Sequence, residues 1–189
     1  GEKVGVNTAV HILIDSSGSM NAKEMRLASL ACFAVASALQ GIKGISVGVT
    51  TFPGERGMYE GSQREHWQTV TPILRHGEKM HTRFAMPGAG NTPLDSALWW
   101  TMQQLHPMPE PRKIILIITD GQPDNSQLAK TAISEAVKLG QEVYGIGIAN
   151  ASILSLLPNT SDVINSISEL SPSMFGMLQR ALIAGHPAA

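Results

Sequence analysis

Cysteine is nearly absent: Cys32 is the only one in 189 residues, so no disulfide can form within the chain. Set among Ala31, Phe33 and Ala34, it reads as a small core residue rather than a reactive thiol. A chain without disulfides is expected in a reducing compartment, which points to the cytoplasm. Charge is scarce as well. Asp, Glu, Lys and Arg make up 15% of the residues and the formal net charge is −1, which excludes a disordered acidic chain and a charge-laced coiled coil. No stripe of Lys and Arg gathers anywhere, and the densest stretch, Lys79 to Arg83, is sparse, so nucleic acid is not an expected partner. No apolar run reaches the length of a membrane span and no signal-peptide pattern opens the sequence, so membrane insertion is not expected. The chain begins Gly1-Glu2-Lys3, without methionine, and is read as an excised domain.

What is present is a 43% hydrophobic chain, within the size of one domain, in which strand-like and helix-like segments alternate. Thr8 to Ile14 is a near-continuous apolar run, the pattern of a strand buried on both faces. Asn21-Ala22-Lys23-Glu24 forms a capping box opening a helix that Gly41 stops. Ile45 to Phe52 is a second strand, in which Gly48 marks a close approach by a neighbour. Order returns at Thr92-Pro93-Leu94-Asp95, read as N-cap, N1 and an acid in the first turn of a helix to about Gln104. Ile114 to Thr119 is the clearest buried strand. Ser126 to Leu139 is a helix with Ala129, Ala132, Ile133, Ala136 and Val137 inward, and Val143 to Ile148 a further strand. A loop or short helix at 152–157 and a weak strand near Asp162 to Ile164 follow. The last helix, Ser173 to Ala184, carries Phe175, Leu178 and Leu182, and the tail from Gly185 is expected to fray. One domain over 1–189 is expected, its core about 8–184. The segment 53–91 is irregular, with an edge strand over Trp67 to Leu74 and a short helix near Met80 to Phe84.

Strands separated by helices of this length make right-handed crossovers, hence a mostly parallel, doubly wound α/β sheet with helices on both faces. Ligands of such sheets bind at the carboxyl ends of the strands. Asp15-Ser16-Ser17-Gly18-Ser19 follows the first strand directly, and Asp120-Gly121 follows the strand ending at Thr119. Thr92 opens a helix at the same sheet edge. Topology therefore converges three distant segments. Asp15, Ser17, Ser19, Thr92 and Asp120 present two carboxylates and three hydroxyls, oxygen donors suited to Mg²⁺ or Mn²⁺. Such a cation, ligated largely by neutral hydroxyls, remains under-neutralised and attracts a carboxylate from outside. The structural alternative is that Ser19 or Asn21 and Thr92 merely cap helices and Asp120-Gly121 is a turn; capping and metal binding can coexist on one hydroxyl.

These residues resemble the DxSxS motif, the lone threonine and the second aspartate of von Willebrand factor A domains, whose metal-ion-dependent adhesion site (MIDAS) they would complete. The likeness runs from about Thr8 to Ala184. It implies a Rossmann-like sheet with one antiparallel edge strand and direct cation binding by Ser17, Ser19 and Thr92. It implies that Asp15 and Asp120 often act through water, and that a partner supplies Asp or Glu. It implies a non-enzymatic protein-interaction module. Thr119-Asp120-Gly121-Gln122-Pro123-Asp124 is similar to a variant found in bacterial intracellular members, some of which accompany AAA+ ATPases or metal chelatases, and an AAA+ partner is expected on that ground. Met20, Gln122, Pro123 and Asp124 are expected at the partner-binding rim.

Two other classes compete. A phosphotransfer enzyme with an Asp nucleophile would want a second aspartate where Ser17 stands. A flavodoxin-like phosphate or cofactor loop would place small hydroxyl residues before a helix, but Asp15 would repel a phosphate. A serine hydrolase elbow is not supplied around Ser17 or Ser19. His66, His76 and His81 lack the spacing of a zinc site, and His11 reads as a packed core residue. Trp99 and Trp100, adjacent on a helix, cannot share a face.

Overall fold

The computed structural model describes residues 6–54, 56–58, 65–67, 69–86 and 90–184. The opening Gly1-Glu2-Lys3, the tail from Gly185 and parts of the irregular segment, among them Gln68, lie outside the described residues. Six strands form the main sheet: β1 (Thr8–Asp15), β2 (Ile45–Phe52), β5 (Thr71–Leu74), β6 (Arg112–Thr119), β7 (Glu142–Ile148) and β8 (Ser161–Ile164), in the order β5-β2-β1-β6-β7-β8. All neighbours pair in parallel except β5, which runs antiparallel along β2 at one edge. β3 (Arg56–Met58) and β4 (Glu65–Trp67) make a separate antiparallel pair. The doubly wound sheet with one antiparallel edge strand is thus observed.

Both faces of the sheet are covered. α1 (Ala22–Gln40) and α5 (Leu170–Ala184) pack on Val10, Ile12, Ile14, Ile114, Leu116 and Ile118. α2 (Leu94–Leu105), α3 (Ser126–Lys138) and α4 (Ser152–Leu156) cover Ala9, Leu13, Ile115 and Ile117. Alternate residues of β1 and β6 therefore enter opposite cores, which is why these strands read as unbroken apolar runs. β1 lies between β2 and β6, so strand order reverses beside it, and the carboxyl ends of β1 and β6 flank the crevice.

Several boundaries differ from expectation. The capping box at Asn21 and Glu24 is present. α1 ends at Gln40 with Gly41 as its cap, as expected; Gly41 keeps a right-handed conformation, and Gly44, with φ of 85°, takes the left-handed one. Trp67 belongs to the β3–β4 pair, so the expected edge strand shortens to Thr71–Leu74, with an irregular register beside Pro72. No helix forms at 80–84; that stretch is non-repetitive and Phe84 is buried. α5 starts at Leu170 and buries Met174, Met177, Leu178 and Ala181, leaving Phe175 40% exposed. Leu170, Met174, Met177, Leu178 and Ala181 recur at helical spacing on one stripe, which turns Phe175 away from the sheet. Val137 of α3 is likewise exposed rather than inward.

Two buried polar groups knit the layers. His11 in β1 meets His76 (Nδ1 to Nε2, 2.9 Å) and Thr50 (2.8 Å), while Ser46 meets the other His76 nitrogen at 2.7 Å. Burial pushes both imidazoles below their ordinary range, His76 to about 4. Gly48 makes room for the pair: a Cβ there would lie 2.7 Å from the His76 ring and 2.8 Å from His11. The Trp100 ring meets His11 edge-on at 5.9 Å, whereas Trp99 is 40% exposed.

At the opposite end of the sheet Arg112 and Glu142 form a buried bidentate pair (2.6 and 2.8 Å). The Arg112 guanidinium also donates to the Ala181 carbonyl of α5 (2.7 Å), and the Tyr144 hydroxyl donates to Glu142 (3.0 Å). Removing one member leaves the other charge buried without its counterpart. Glu142→Ala is expected to lower unfolding free energy by about 3 kcal/mol or more, read by urea denaturation. The apolar double replacement Arg112→Met with Glu142→Leu is expected to recover most of that loss.

Candidate functional site

The site begins where β1 ends. The amide of Ser16 donates to the Phe52 carbonyl (2.8 Å) and its hydroxyl to the Pro53 carbonyl (3.2 Å), tying the loop after β1 to the end of β2. Asp15 is fully buried. One of its oxygens accepts from the Ser17 amide at 2.8 Å, and the other accepts from the Thr119 hydroxyl of β6, also at 2.8 Å. The carboxylate thus fixes the turn and bridges the two central strands.

Ser17 is buried and Ser19 exposed, their hydroxyls 3.3 Å apart. The Ser19 hydroxyl donates to Asp120 Oδ2 at 2.5 Å. The other oxygen, Asp120 Oδ1, is buried and has no hydrogen-bond partner among the described residues. Burial raises the Asp15 carboxyl to about 6, against the lowering hydrogen bonds from Ser17 and Thr119, and the charge of Asp120 adds to the rise. Two carboxylates held together, with one oxygen sealed from water and unpartnered, make a local excess of negative charge.

Thr92 enters from a third loop. The sequence predicts that it caps α2, but the helix starts at Leu94 and Pro93 occupies the cap position with no side-chain cap bond. The backbone does the capping instead: the Thr92 carbonyl accepts from the amides of Leu94 and Asp124, both at 2.9 Å. Asp124 returns the contact, its Oδ1 accepting from the Thr92 amide at 3.0 Å. The Thr92 hydroxyl is left without a hydrogen-bond partner among the described residues. Asp124 therefore clamps the loop after β6 to the loop before α2, a positioning role that adjacency to Asp120 in the sequence does not reveal. Of the expected rim residues, Gln122 and Asp124 are exposed, while Met20 and Pro123 are buried.

The structure brings Asp15, Ser17, Ser19 and Asp120 into one bonded cluster and ties the Thr92 loop to it through Asp124. The donor set fits a hard divalent cation: every donor is an oxygen, two of the five residues are carboxylates, and Asp120 Oδ1 is buried without a hydrogen-bond partner among the described residues. Among the described residues no three His, Cys, Asp or Glu side chains gather as a metal cluster, in keeping with a set that relies on hydroxyls. His76 is engaged by His11, and His81 pairs with Glu78 at 3.2 Å; the side chain of His66 lies outside the described residues.

The von Willebrand factor type A domain family matches residues 9–170, and the chain belongs to that family. No curated protein sequence matches it. The fold resembles proximal thread matrix protein 1 of the mussel byssus, solved with a zinc-occupied MIDAS motif, at 18% identity and a TM-score of 0.74. That likeness covers 96% of this chain and 50% of the byssus protein. It also resembles the pilus adhesin SpaC of Lactobacillus rhamnosus GG (12% identity, TM-score 0.76, covering 94% of this chain and 31% of SpaC). The vWF domain of the type V pili tip protein Mfa5 of Porphyromonas gingivalis is similar over 99% of both chains (11% identity, TM-score 0.71). The chain thus spans half or less of the first two proteins.

The chain is thus a von Willebrand factor A domain, a class of protein-interaction modules that are generally non-catalytic. The expected kinship with bacterial intracellular members is overturned, and with it the AAA+ or chelatase partner and the cytoplasmic location. The structures it resembles are a thread matrix protein of the mussel byssus, a pilus adhesin and a pilus tip protein. The reason is physical. The segment from Thr119 to Asp124 consists of site and loop-clamping residues, which report the geometry of the crevice and not the compartment. A core closed on both faces of a sheet needs no disulfides, so one cysteine does not report it either.

The buried Asp15 charge gives a signed prediction. Its folded pKa of about 6 lies above the ordinary 3.8, so this group's contribution to stability falls as pH rises from about 4 to 6 in cation-free protein. Asp15→Asn removes that fall. Its amide can donate to the Thr119 hydroxyl, which already lies 3.2 Å from the Gly121 carbonyl it would then donate to. In EDTA at pH 8 the variant is expected to be about 2 kcal/mol more stable than the parent and to lose any stabilisation by Mg²⁺. Denaturant melts with and without the cation check both.

Proposed function

We propose that the chain is a cation-dependent adhesion or interaction module that holds Mg²⁺ or Mn²⁺ with Asp15, Ser17, Ser19, Thr92 and Asp120 and captures an Asp or Glu carboxylate of a partner protein. The observation that carries this reading is Asp120 Oδ1, buried without a partner among the described residues, beside the buried Asp15 carboxylate. Leaving a buried anionic oxygen unpaired is costly, and a cation supplies what it lacks. All-oxygen donors favour Mg²⁺ or Mn²⁺ over softer ions, and the zinc-occupied MIDAS of the byssus protein supports a divalent cation at the equivalent crevice.

Within this reading the residues divide the work. Asp15 fixes the Ser17 turn and bridges β1 to β6. The hydroxyls of Ser17, Ser19 and Thr92 supply neutral oxygens, and Asp120 supplies charge. The bound cation supplies the positive charge that attracts a partner's carboxylate. Ser19 and Gln122, exposed beside the crevice, and Asp124, which clamps it, form the approach surface. A phosphate-binding loop is the weaker reading, because two carboxylates face the same crevice and repel an anion.

Millimolar Mg²⁺ or Mn²⁺ is expected to raise the melting temperature and EDTA to remove the gain. At a hundredfold excess over Kd the stabilisation is about 2.7 kcal/mol, or roughly 5–10 °C for a domain of this size. Thr92→Ala and Asp120→Ala are expected to abolish the shift while melting cooperatively. Identical curves in Mg²⁺, Mn²⁺ and EDTA for the parent protein would remove the basis of the proposal.

A further inference from the structure

A groove of about 520 Å³ opens directly beside the crevice, between the first two turns of α1 and the stretch 82–86. Its apolar lining is Met20, Met25, Phe84 and Met86, with Ala85 exposed on one wall and Arg26 on the other. The walls are fixed. The Ser29 hydroxyl of α1 donates to the Phe84 carbonyl, and the Phe84 ring meets Phe33 edge-on at 5.3 Å. Phe84 is 3% exposed, so the groove's floor is part of the core rather than a loose flap. Three methionines line one opening in a chain of nine. Thioether side chains adapt to differently shaped apolar guests, as they do on surfaces that bind varied peptides.

Continuity with the crevice and charge decide what fits. Met20 follows Ser19, the exposed hydroxyl of the cation site, with no residue between them. Arg26 is exposed and has no ion-pair partner among the described residues. A partner arriving acid-first at the crevice would then pass over an apolar trough flanked by a guanidinium. From Ala22 to Ser29 the helix rises about 10 Å, a span that about three residues of extended peptide cover.

We infer that the Met20–Met25–Phe84–Met86 groove is the specificity subsite for the bound partner. It takes an apolar side chain lying within three residues of the partner's cation-binding Asp or Glu, in an acidic segment whose further carboxylate faces Arg26. The inference rests on the proposed cation site and adds the sequence character of the partner. The occupant is an extended peptide segment of another protein.

The test uses fluorescein-labelled nonapeptides in a Gly-Ser background, each with one central Asp and with Leu, Gly or Lys at the second or third position to either side, titrated with the protein in Mg²⁺ or EDTA. The Leu peptides are expected to bind at least about tenfold more tightly than the Gly peptides in Mg²⁺, with Lys weaker than Gly. An added Glu is expected to tighten binding in the parent and weaken it in Arg26→Glu. Ala85→Trp fills the groove from an exposed position; it is expected to erase the Leu advantage while leaving the Mg²⁺ melting shift intact. Equal affinity of Leu and Gly peptides, an Ala85→Trp variant that still prefers Leu, or absence of peptide binding despite a Mg²⁺ shift would overturn the groove inference and leave the cation site standing. Loss of the Mg²⁺ shift itself in the parent would overturn both. Concentration-dependent self-association that the Leu peptide displaces would give the groove to a second copy and overturn the assignment to a foreign segment.

Discussion

The Asp15 carboxylate is the constraint on which the crevice depends. It is buried at the end of the central strand, and its two oxygens act differently. One holds the Ser17 amide and shapes the turn; the other holds Thr119 and locks β1 to β6. Burial makes the charge unfavourable, raising the carboxyl to about 6, and Asp120 beside it worsens the balance. A fold concerned only with stability would place apolar or neutral groups there. Retaining two acids and an unpartnered Asp120 oxygen is the local inconsistency that marks a functional site in an otherwise self-consistent structure.

The rest of the architecture supports that point. The unbroken apolar strands β1 and β6 place Asp15 and Asp120 at one sheet edge because both strands run in parallel and end together. The Thr92 loop is drawn in from the helix side by a reciprocal pair of bonds with Asp124. The far end of the sheet is held by Arg112 and Glu142, which anchor α5. The crevice is thus built on strands and clamped loops, so the side chains of the proposed cation site are held by the fold itself, a condition for selective binding.

The central strands, the helices covering them and the meeting of Asp15, Ser17, Ser19 and Asp120 are legible in the sequence, because burial on both faces and hydroxyl-rich loop motifs leave strong local patterns. Local pattern is less informative where tertiary contacts decide. Nothing local distinguishes Thr92 as a helix cap from Thr92 with a free hydroxyl; the difference comes from Asp124 and Pro93. The 80–84 stretch has helix-compatible residues, yet Phe84 is held against α1 through Ser29 and Phe33 instead. The start of α5 lies earlier than its periodicity suggests because a 3₁₀ turn at Ile167–Glu169, with its own capping box, leads directly into it. Neither the crevice motif nor the cysteine count encodes compartment, so a cytoplasmic location does not follow from them.

The most direct measurement is the anomalous scattering of a crystal grown with Mn²⁺. One strong peak is expected within bonding distance of the Ser17, Ser19 and Thr92 hydroxyl oxygens, with Asp15 and Asp120 facing it directly or through water. A crystal saturated with Mn²⁺ that shows no peak in this crevice, or shows it only elsewhere on the molecule, would contradict the proposed cation site.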